Sequence, residues 1–355
     1  ILIVGAGARA DQTSQPGEFP PEPQRSPPAV NVSITLFDPG FPDDVQSQRD
    51  LEVFPRIREI ESLFLPFVLR RVMSDAGGWG VVRVVPRSDP SAELLVDVTI
   101  LESDGERLAL AVRAVDATGR VWLEREFRTD STAGYSGPEA LNEPAEYNRL
   151  YADIASELEA MRDDLSEREF RRILDTSLMR YAVGLVPEAF GDFIDEQPPG
   201  TFQLVRLPAR NDPMLGRINR LRTVEYAITD TIDEKYQELH AEIASTYDLW
   251  REYRRKYRRY LADEAERAAG EPPDAPTTSY TSLMDRYLRY KWDRQAEQEQ
   301  QAWANGFNNE VGPTIERIGT RIDELELWVQ QESATWERIL AEFYELEQEL
   351  AAPGS

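Results

Sequence analysis

Near the end of the chain, Ile315, Ile322, Val329, Trp336, Phe343 and Leu350 recur every seven residues. Ile318, Leu325, Ile339 and Leu346 occupy the companion core position, and Glu332 is the one break. Such a stripe stays on one side of an α-helix and has to be covered by another apolar surface. A second stripe, Ile232, Tyr236, Leu239, Ile243, Thr246, Trp250, Tyr253, Tyr257 and Tyr260, advances in alternating steps of four and three. Between the two lie the loop AAGEPPDAPTTS and a middle helix carrying Leu283, Tyr287, Leu288, Trp292 and Trp303. Short connections rich in Pro and Gly place successive helices side by side, so residues 214–355 are expected to form an elongated coiled coil or three-helix bundle. A helix of 40 residues would reach roughly 60 Å, the length of a spacer.

The other end of the chain poses a choice between a site and a leader. ILIVGAGARADQ fits the Gly-x-Gly-x-x-Gly/Ala pattern of a pyrophosphate-binding turn, which needs an amphipathic helix immediately after it. Prolines follow instead at 16, 20, 21, 23, 27 and 28, and proline inside a helix removes a donor and clashes with the preceding turn. The alternative is a signal-peptide remnant over residues 1–10, with Ala8-Arg9-Ala10 as an A-x-A cleavage site; a meaningless apolar terminus is the third reading. Residues 11–30 then form a stiff, Pro-rich linker.

The middle of the chain reads as a small α+β unit over residues 31–194. NVSITLF (residues 31–37) alternates like a half-buried strand, and its Asn-Val-Ser triplet matches a glycosylation sequon, a frequent chance match. From Pro55 to Ala76, Ile57, Ile60, Phe64, Phe67, Val68 and Val72 keep helical spacing; Gly77-Gly78 stops the helix and Pro66 is expected to kink it. Four strands follow at 80–85, 93–101, 107–115 and 120–128. The last three are joined by Ser103-Asp104-Gly105-Glu106 and Asp116-Ala117-Thr118-Gly119, residue types that tight hairpin turns demand. Val96, Val98 and Ile100, with Leu108, Leu110 and Val112, give an antiparallel meander one buried face. Tyr147 to Leu165 and Phe170 to Tyr181 mark two further helices, the second opened by the capping box Ser166-Glu167-Arg168-Glu169. These auxiliary helices are expected on the open side of the sheet, and residues 195–213 are read as a linker whose Asp212-Pro213 starts the next helix.

The segments ITLFDPG, GWGVVRVVP and ELLVDVTILESDGERLALAVRAVDATGRVWLEREF, with the amphipathic helix between the first two, resemble the amino-terminal domain of the TolB translocation protein and the related curli-secretion lipoprotein fold. The likeness covers residues 31–129 and is strongest in the final hairpin with Trp122. It implies a periplasmic adaptor that docks other envelope proteins without catalysis. The chain departs from it in having no lipidated cysteine and no β-propeller repeats.

Composition limits the chemistry. The 355 residues include no cysteine, so disulfides, thiolate nucleophiles and zinc-thiolate sites are excluded within them. One histidine, His240, cannot assemble a Ser-His-Asp or His-metal constellation, and no cofactor motif follows elsewhere. The net charge of -25 repels phosphate backbones and anionic headgroups, and no run of 18 apolar residues is present to span a bilayer. Within this anionic chain LWREYRRKYRRYL stands out. Trp250, Arg254, Arg255, Lys256, Arg258 and Arg259 are the candidate partner-docking residues, with internal pairing to the glutamates of the last helix as the structural alternative and nucleic acid the weakest reading. Among the 65 acids, Asp97, Asp163 and Asp164 are candidates for a paired-carboxylate glycosidase mechanism, though each has an ordinary solvated reading.

These observations lead to an exported bacterial protein, periplasmic or secreted, that is a non-catalytic cell-envelope scaffold. It would dock envelope proteins and self-associate through its helical region. The alternative is a carboxylate-dependent glycan-active or peptidoglycan-binding protein.

Overall fold

The computed structural model describes residues 29–41, 55–104, 107–129, 145–198, 200–209, 212–269 and 312–351. The leader and most of the Pro-rich linker, the AAGEPPDAPTTS loop beyond its first two alanines, and the middle helix lie outside the described residues.

Strand β1 (Val32–Thr35) is followed by helix α1 (Pro55–Ala76), β2 (Val82–Val85), β3 (Leu94–Ser103), β4 (Leu108–Asp116) and β5 (Val121–Arg128). The five strands form one sheet in the order β2-β1-β3-β4-β5. β3, β4 and β5 are antiparallel, as their tight turns require, but β1 runs parallel to both of its neighbours. The sheet is therefore mixed, which corrects the antiparallel expectation. The reason is α1: a parallel pair needs a long crossover, and this helix supplies it between β1 and β2.

The inner face of the sheet carries Val96, Val98, Ile100, Leu110, Val112, Ala114, Leu123 and Phe127, all buried. The opposite face carries Asp97, Thr99, Leu101, Arg113, Glu124 and Glu126, each half-buried or exposed. α1 lies on the inner face and buries a wider belt than one stripe, including Leu63, Leu65, Leu69 and Met73, because helices also pack around it. The helix continues through Pro66. Proline has no N–H to offer the carbonyl four residues back, and that carbonyl, on Ser62, instead accepts a 3.0 Å hydrogen bond from the N–H of Phe37, just past β1.

α2 (Ala145–Asp163) buries Leu150, Tyr151, Ile154 and Leu158 against α1 and β5. It lies beside α1 on the face already covered, not on the open one, because the buried apolar side chains of β3, β4 and β5 line that face. α3 (Glu167–Leu185) opens on the expected capping box: Ser166 Oγ accepts from the Glu169 N–H, and the Glu169 carboxylate accepts from the Ser166 N–H. A short helix α4 (Pro187–Phe190) leads to the hairpin β6 (Ile194–Gln197) and β7 (Thr201–Leu204), which occupies the stretch read as a linker. The hairpin docks on the β4–β5 turn. The Phe202 N–H donates to the Thr118 carbonyl at 2.8 Å, and the Arg180 guanidinium lies 3.8 Å from the Phe202 ring centroid while bonding the Ala117 carbonyl.

α5 (Pro213–Ala269) follows, with Asp212 accepting from the Met214 N–H at 2.8 Å as its cap. Its 57 residues would extend roughly 85 Å at 1.5 Å per residue. α6 (Gly312–Ala351) packs on α5 and α1 through Ile315, Ile318, Ile322 and Val329. The apolar stripe of α5 is covered by α1, β2 and α6 together: Ile232, Tyr236, Leu239, Ile243, Tyr247 and Trp250 share one core with the sheet, α1, α2 and α6.

Candidate functional site

The most concentrated polar chemistry lies where α5 meets the head. α1 brings Arg58 and Glu61 to the same side, three residues apart, next to the apolar run Leu63-Phe64-Leu65. Glu61 is fully buried, and its Oε1 accepts hydrogen bonds from Ser103 Oγ at the end of β3 and from the Tyr247 hydroxyl of α5, the latter at 2.9 Å. Its Oε2 receives no hydrogen bond from the described residues and lies 3.4 Å from Arg58 Nε. The Arg58 guanidinium is occupied by the carbonyls of Ile100, at 2.9 Å, and Pro39, at 3.2 Å. Burial raises the Glu61 pKa to about 7, against the opposing pull of Ser103, Arg58, Tyr247 and Arg251.

One side of this cluster is aromatic. His240 stacks on Phe64 with ring centroids 4.3 Å apart and an interplanar angle of 7°, and Phe67 lies 5.7 Å away. Its Nε2 is buried without a hydrogen-bond partner among the described residues. Burial, and secondarily the positive charge of Arg71, lowers the His240 pKa to about 4, so the ring is neutral at ordinary pH. Tyr247 continues the stack onto Trp250, 5.6 Å away.

The candidate docking residues divide. Trp250 is buried among these rings, and Arg254, also buried, donates from Nε to the Asp104 carbonyl of the β3–β4 turn at 3.4 Å. Lys256 is exposed and pairs with Glu252 one turn back at 2.5 Å. The side chains of Arg255, Arg258 and Arg259 lie outside the described residues. Where it is described, the anomalous basic stretch thus turns inward to the head at Trp250 and Arg254, with Arg251 buried beside them.

A second set of contacts closes the β2 edge of the sheet. Asp233 of α5 accepts from the Val84 N–H at 3.1 Å and pairs with Arg70 at 3.1 Å, while Arg70 Nε bonds the Val82 carbonyl at 3.0 Å. Arg83 forms a two-point contact with Asp230. Side chains of α5 and α1 therefore satisfy backbone groups that a neighbouring strand would otherwise take. Arg222 is buried between the rings of Tyr181 and Tyr226, 5.5 and 5.3 Å from their centroids, and donates to Ser177 Oγ at 2.5 Å. The sequon residue Asn31 is consumed here as well: its side chain accepts from the Val81 N–H and donates to Glu93, a buried carboxylate raised in pKa by that burial.

The acids considered for a glycosidase pair sit on separate elements. Asp97, on β3, accepts from Thr35 Oγ1 of β1, whereas Asp163 pairs with Arg162 at the end of α2, next to exposed Asp164. Among the described residues no His, Cys, Asp or Glu group could hold a metal ion, and no helix is long and apolar enough to cross a membrane.

Sequence reasoning missed Glu61, Arg58, Tyr247, Asp230 and Asp233. A signal was present for the first pair, a charge of each sign within IREIESLFL, where a helix buried by its neighbours has no solvated side to spare. Tyr247 was hidden by the strict heptad, which puts Thr246 in the seam; Thr246 is half-buried and Tyr247 buried. No protein-family model matches this chain, and no curated protein sequence matches it.

Proposed function

We propose that this protein is an exported, non-catalytic scaffold of the cell envelope that holds a compact α+β docking head on a long helical arm. The single observation behind this reading is the clamping of the head along one continuous 57-residue helix. Contacts run from Ile218, in a small core with α3 and α4, to Arg254 at the β3–β4 turn. An arm that is also part of the head's core moves with the head as one lever, which suits a spacer better than a flexible tether. The seven-residue spacing of Ile315, Ile322 and Val329 continues in sequence through Trp336, Phe343 and Leu350, which supports a coiled or bundled continuation and self-association through it. The partners would be envelope proteins, in keeping with the resemblance of residues 31–129 to periplasmic adaptor domains.

Crosslinking in intact cells tests this with the full-length chain, using a photoreactive residue at Leu327 or Val224, large apolar side chains that are 56% and 40% exposed. A discrete protein adduct, or a crosslinked homodimer, is the expected result. A strict monomer at high concentration that yields no adduct would remove the basis for a scaffold. Sugar release from cell walls, lost on a single Asp or Glu substitution, would establish the glycan-active alternative in its place.

A further inference from the structure

The two edges of the main sheet are finished differently. At β2 the side chains of Asp233 and Arg70 take up the Val84 N–H and the Val82 carbonyl, which closes that edge. Past the end of β5 the Thr129 N–H donates to the Leu108 carbonyl at 2.9 Å, and the antiparallel alternation that starts there turns the backbone groups of residues 127, 125 and 123 towards β4. The N–H and carbonyl groups of Glu124, Glu126 and Arg128 therefore point away from the sheet, and no described residue bonds them. The side chains of all three are exposed, as is that of Arg125.

Charged side chains commonly protect an edge strand, since a row of one sign repels a second strand. β5 carries both signs instead, in an order that complements itself. We propose that two copies of this chain pair through β5, antiparallel about a two-fold axis at Glu126, so that their sheets become one. In this register Glu124 faces Arg128 of the second copy, and Arg128 faces Glu124 of the second copy. Each of these facing pairs exchanges two backbone hydrogen bonds, because the outward-pointing groups belong to the same residues. On the inner face Arg125 lies opposite Phe127 of the second copy. Within one chain the same two residues already meet, the Arg125 guanidinium lying 4.9 Å from the Phe127 ring centroid. The one pair of like charges is Glu126 against Glu126 of the second copy, on the axis. A register shifted by two residues in one direction sets Glu124 against Glu126 twice, and a shift in the other leaves Glu124 facing a position past the end of β5.

The present neighbours of these charges hold them weakly. The Glu124 side chain is 67% exposed and 3.7 Å from Arg113, while that of Arg128 is 55% exposed and shared between Glu126 at 2.8 Å and Glu102 at 3.5 Å. Exposed pairs of this kind contribute little, so exchanging them for pairs across the two-fold costs little. α2 meets β5 on the inner face, where its Glu157 pairs with Arg125. The inference goes beyond the scaffold reading, because it places a self-association surface on the head and not on the helices.

The chain has no cysteine, so a thiol introduced at one position reports on that position alone. Under mild oxidation of the full-length protein, Glu126→Cys should give a covalent dimer, since position 126 faces itself across the axis with Cα atoms about 5.5 Å apart, within disulfide reach. Glu124→Cys and Arg128→Cys should not, because each position lies roughly 14 Å from its own copy, whereas the two substitutions combined should link. Sedimentation adds a charge test. Glu124→Arg and Arg128→Glu should each weaken dimerisation about 10-fold or more, the two together should restore it, and Glu126→Gln should tighten it. No covalent dimer from Glu126→Cys, or equal yields from all three single thiols, would overturn the proposal. If the chain without that link still sediments as a dimer, association runs through the helices, and this inference fails while the scaffold reading stands.

Discussion

The Tyr247 hydroxyl donates to Glu61 Oε1 at 2.9 Å, joining residues 186 positions apart in the chain. The same phenol ring stacks on Trp250 and lies tilted against Phe64. Through this contact the arm becomes part of the head's core rather than an appendage to it.

Removing only that hydroxyl, with Tyr247→Phe, leaves the ring packing intact and takes one donor from a buried carboxylate. Stability should fall by about 1 to 2 kcal/mol, the range for a hydrogen bond to a group of this kind. Urea denaturation would measure it. In a double-mutant cycle with Glu61→Leu the loss should largely vanish, since the hydroxyl then has no carboxylate to serve.

At the β2 edge, Asp233 and Asp230 offer a contrast between two carboxylates on one helix. The Asp233 side chain is 6% exposed and holds both Arg70 and the Val84 N–H, whereas the Asp230 side chain is 49% exposed. Asp233→Ala should cost about 2 to 3 kcal/mol and speed exchange of the Val84 amide. Asp230→Ala should cost under about 1 kcal/mol, as a half-solvated pair does. Equal losses would show that burial is not what distinguishes them.

Two glycines with positive φ separate strain from collision. At Gly40 (φ 59°) an added Cβ would stand 2.2 Å from the Ile100 carbonyl oxygen, where the chain leaving β1 runs along β3; at Gly77 (φ 77°) it would meet nothing within 4 Å. Gly77→Ala should therefore show the conformational penalty alone, about 1 kcal/mol. Gly40→Ala should lose at least about 3 kcal/mol, because the backbone has to move as well. Thermal denaturation of the two variants side by side tests the difference.

The capping box of α3 predicts a local effect. Ser166→Ala removes the acceptor for the Glu169 N–H and should cost about 1 kcal/mol. It should also let the Glu169 pKa, held low chiefly by its hydrogen bonds to Ser166, rise towards the ordinary carboxylate value. Carboxylate titration by NMR would record that shift.

Much of the local structure was legible in the residues themselves. The α1 boundaries, the two hairpin turns, the Ser166 box and the Asp212 cap all depend on side chains within a few positions of one another. In the Asp116 turn the carboxylate accepts from the Thr118 N–H and from Trp122 Nε1, both at 2.8 Å, so the V-D-A-T-G sequence builds its own corner. The candidate site was less legible. Trp250 and Arg254 were singled out as a local anomaly, but Asp104, the residue Arg254 reaches, comes 150 positions earlier.

Periodicity, turn chemistry and caps were settled by the sequence, because each is fixed by the backbone geometry of neighbouring residues. Tertiary structure alone decided that β1 pairs in parallel on both sides, that Phe64 and Phe67 cover the α5 stripe, and that Glu61 is shut away from water. An apolar stripe specifies that it must be covered but not by what, since a partner helix and the side of α1 present equally apolar surfaces. The choice falls to shape and to the few polar groups that must find partners once water is excluded.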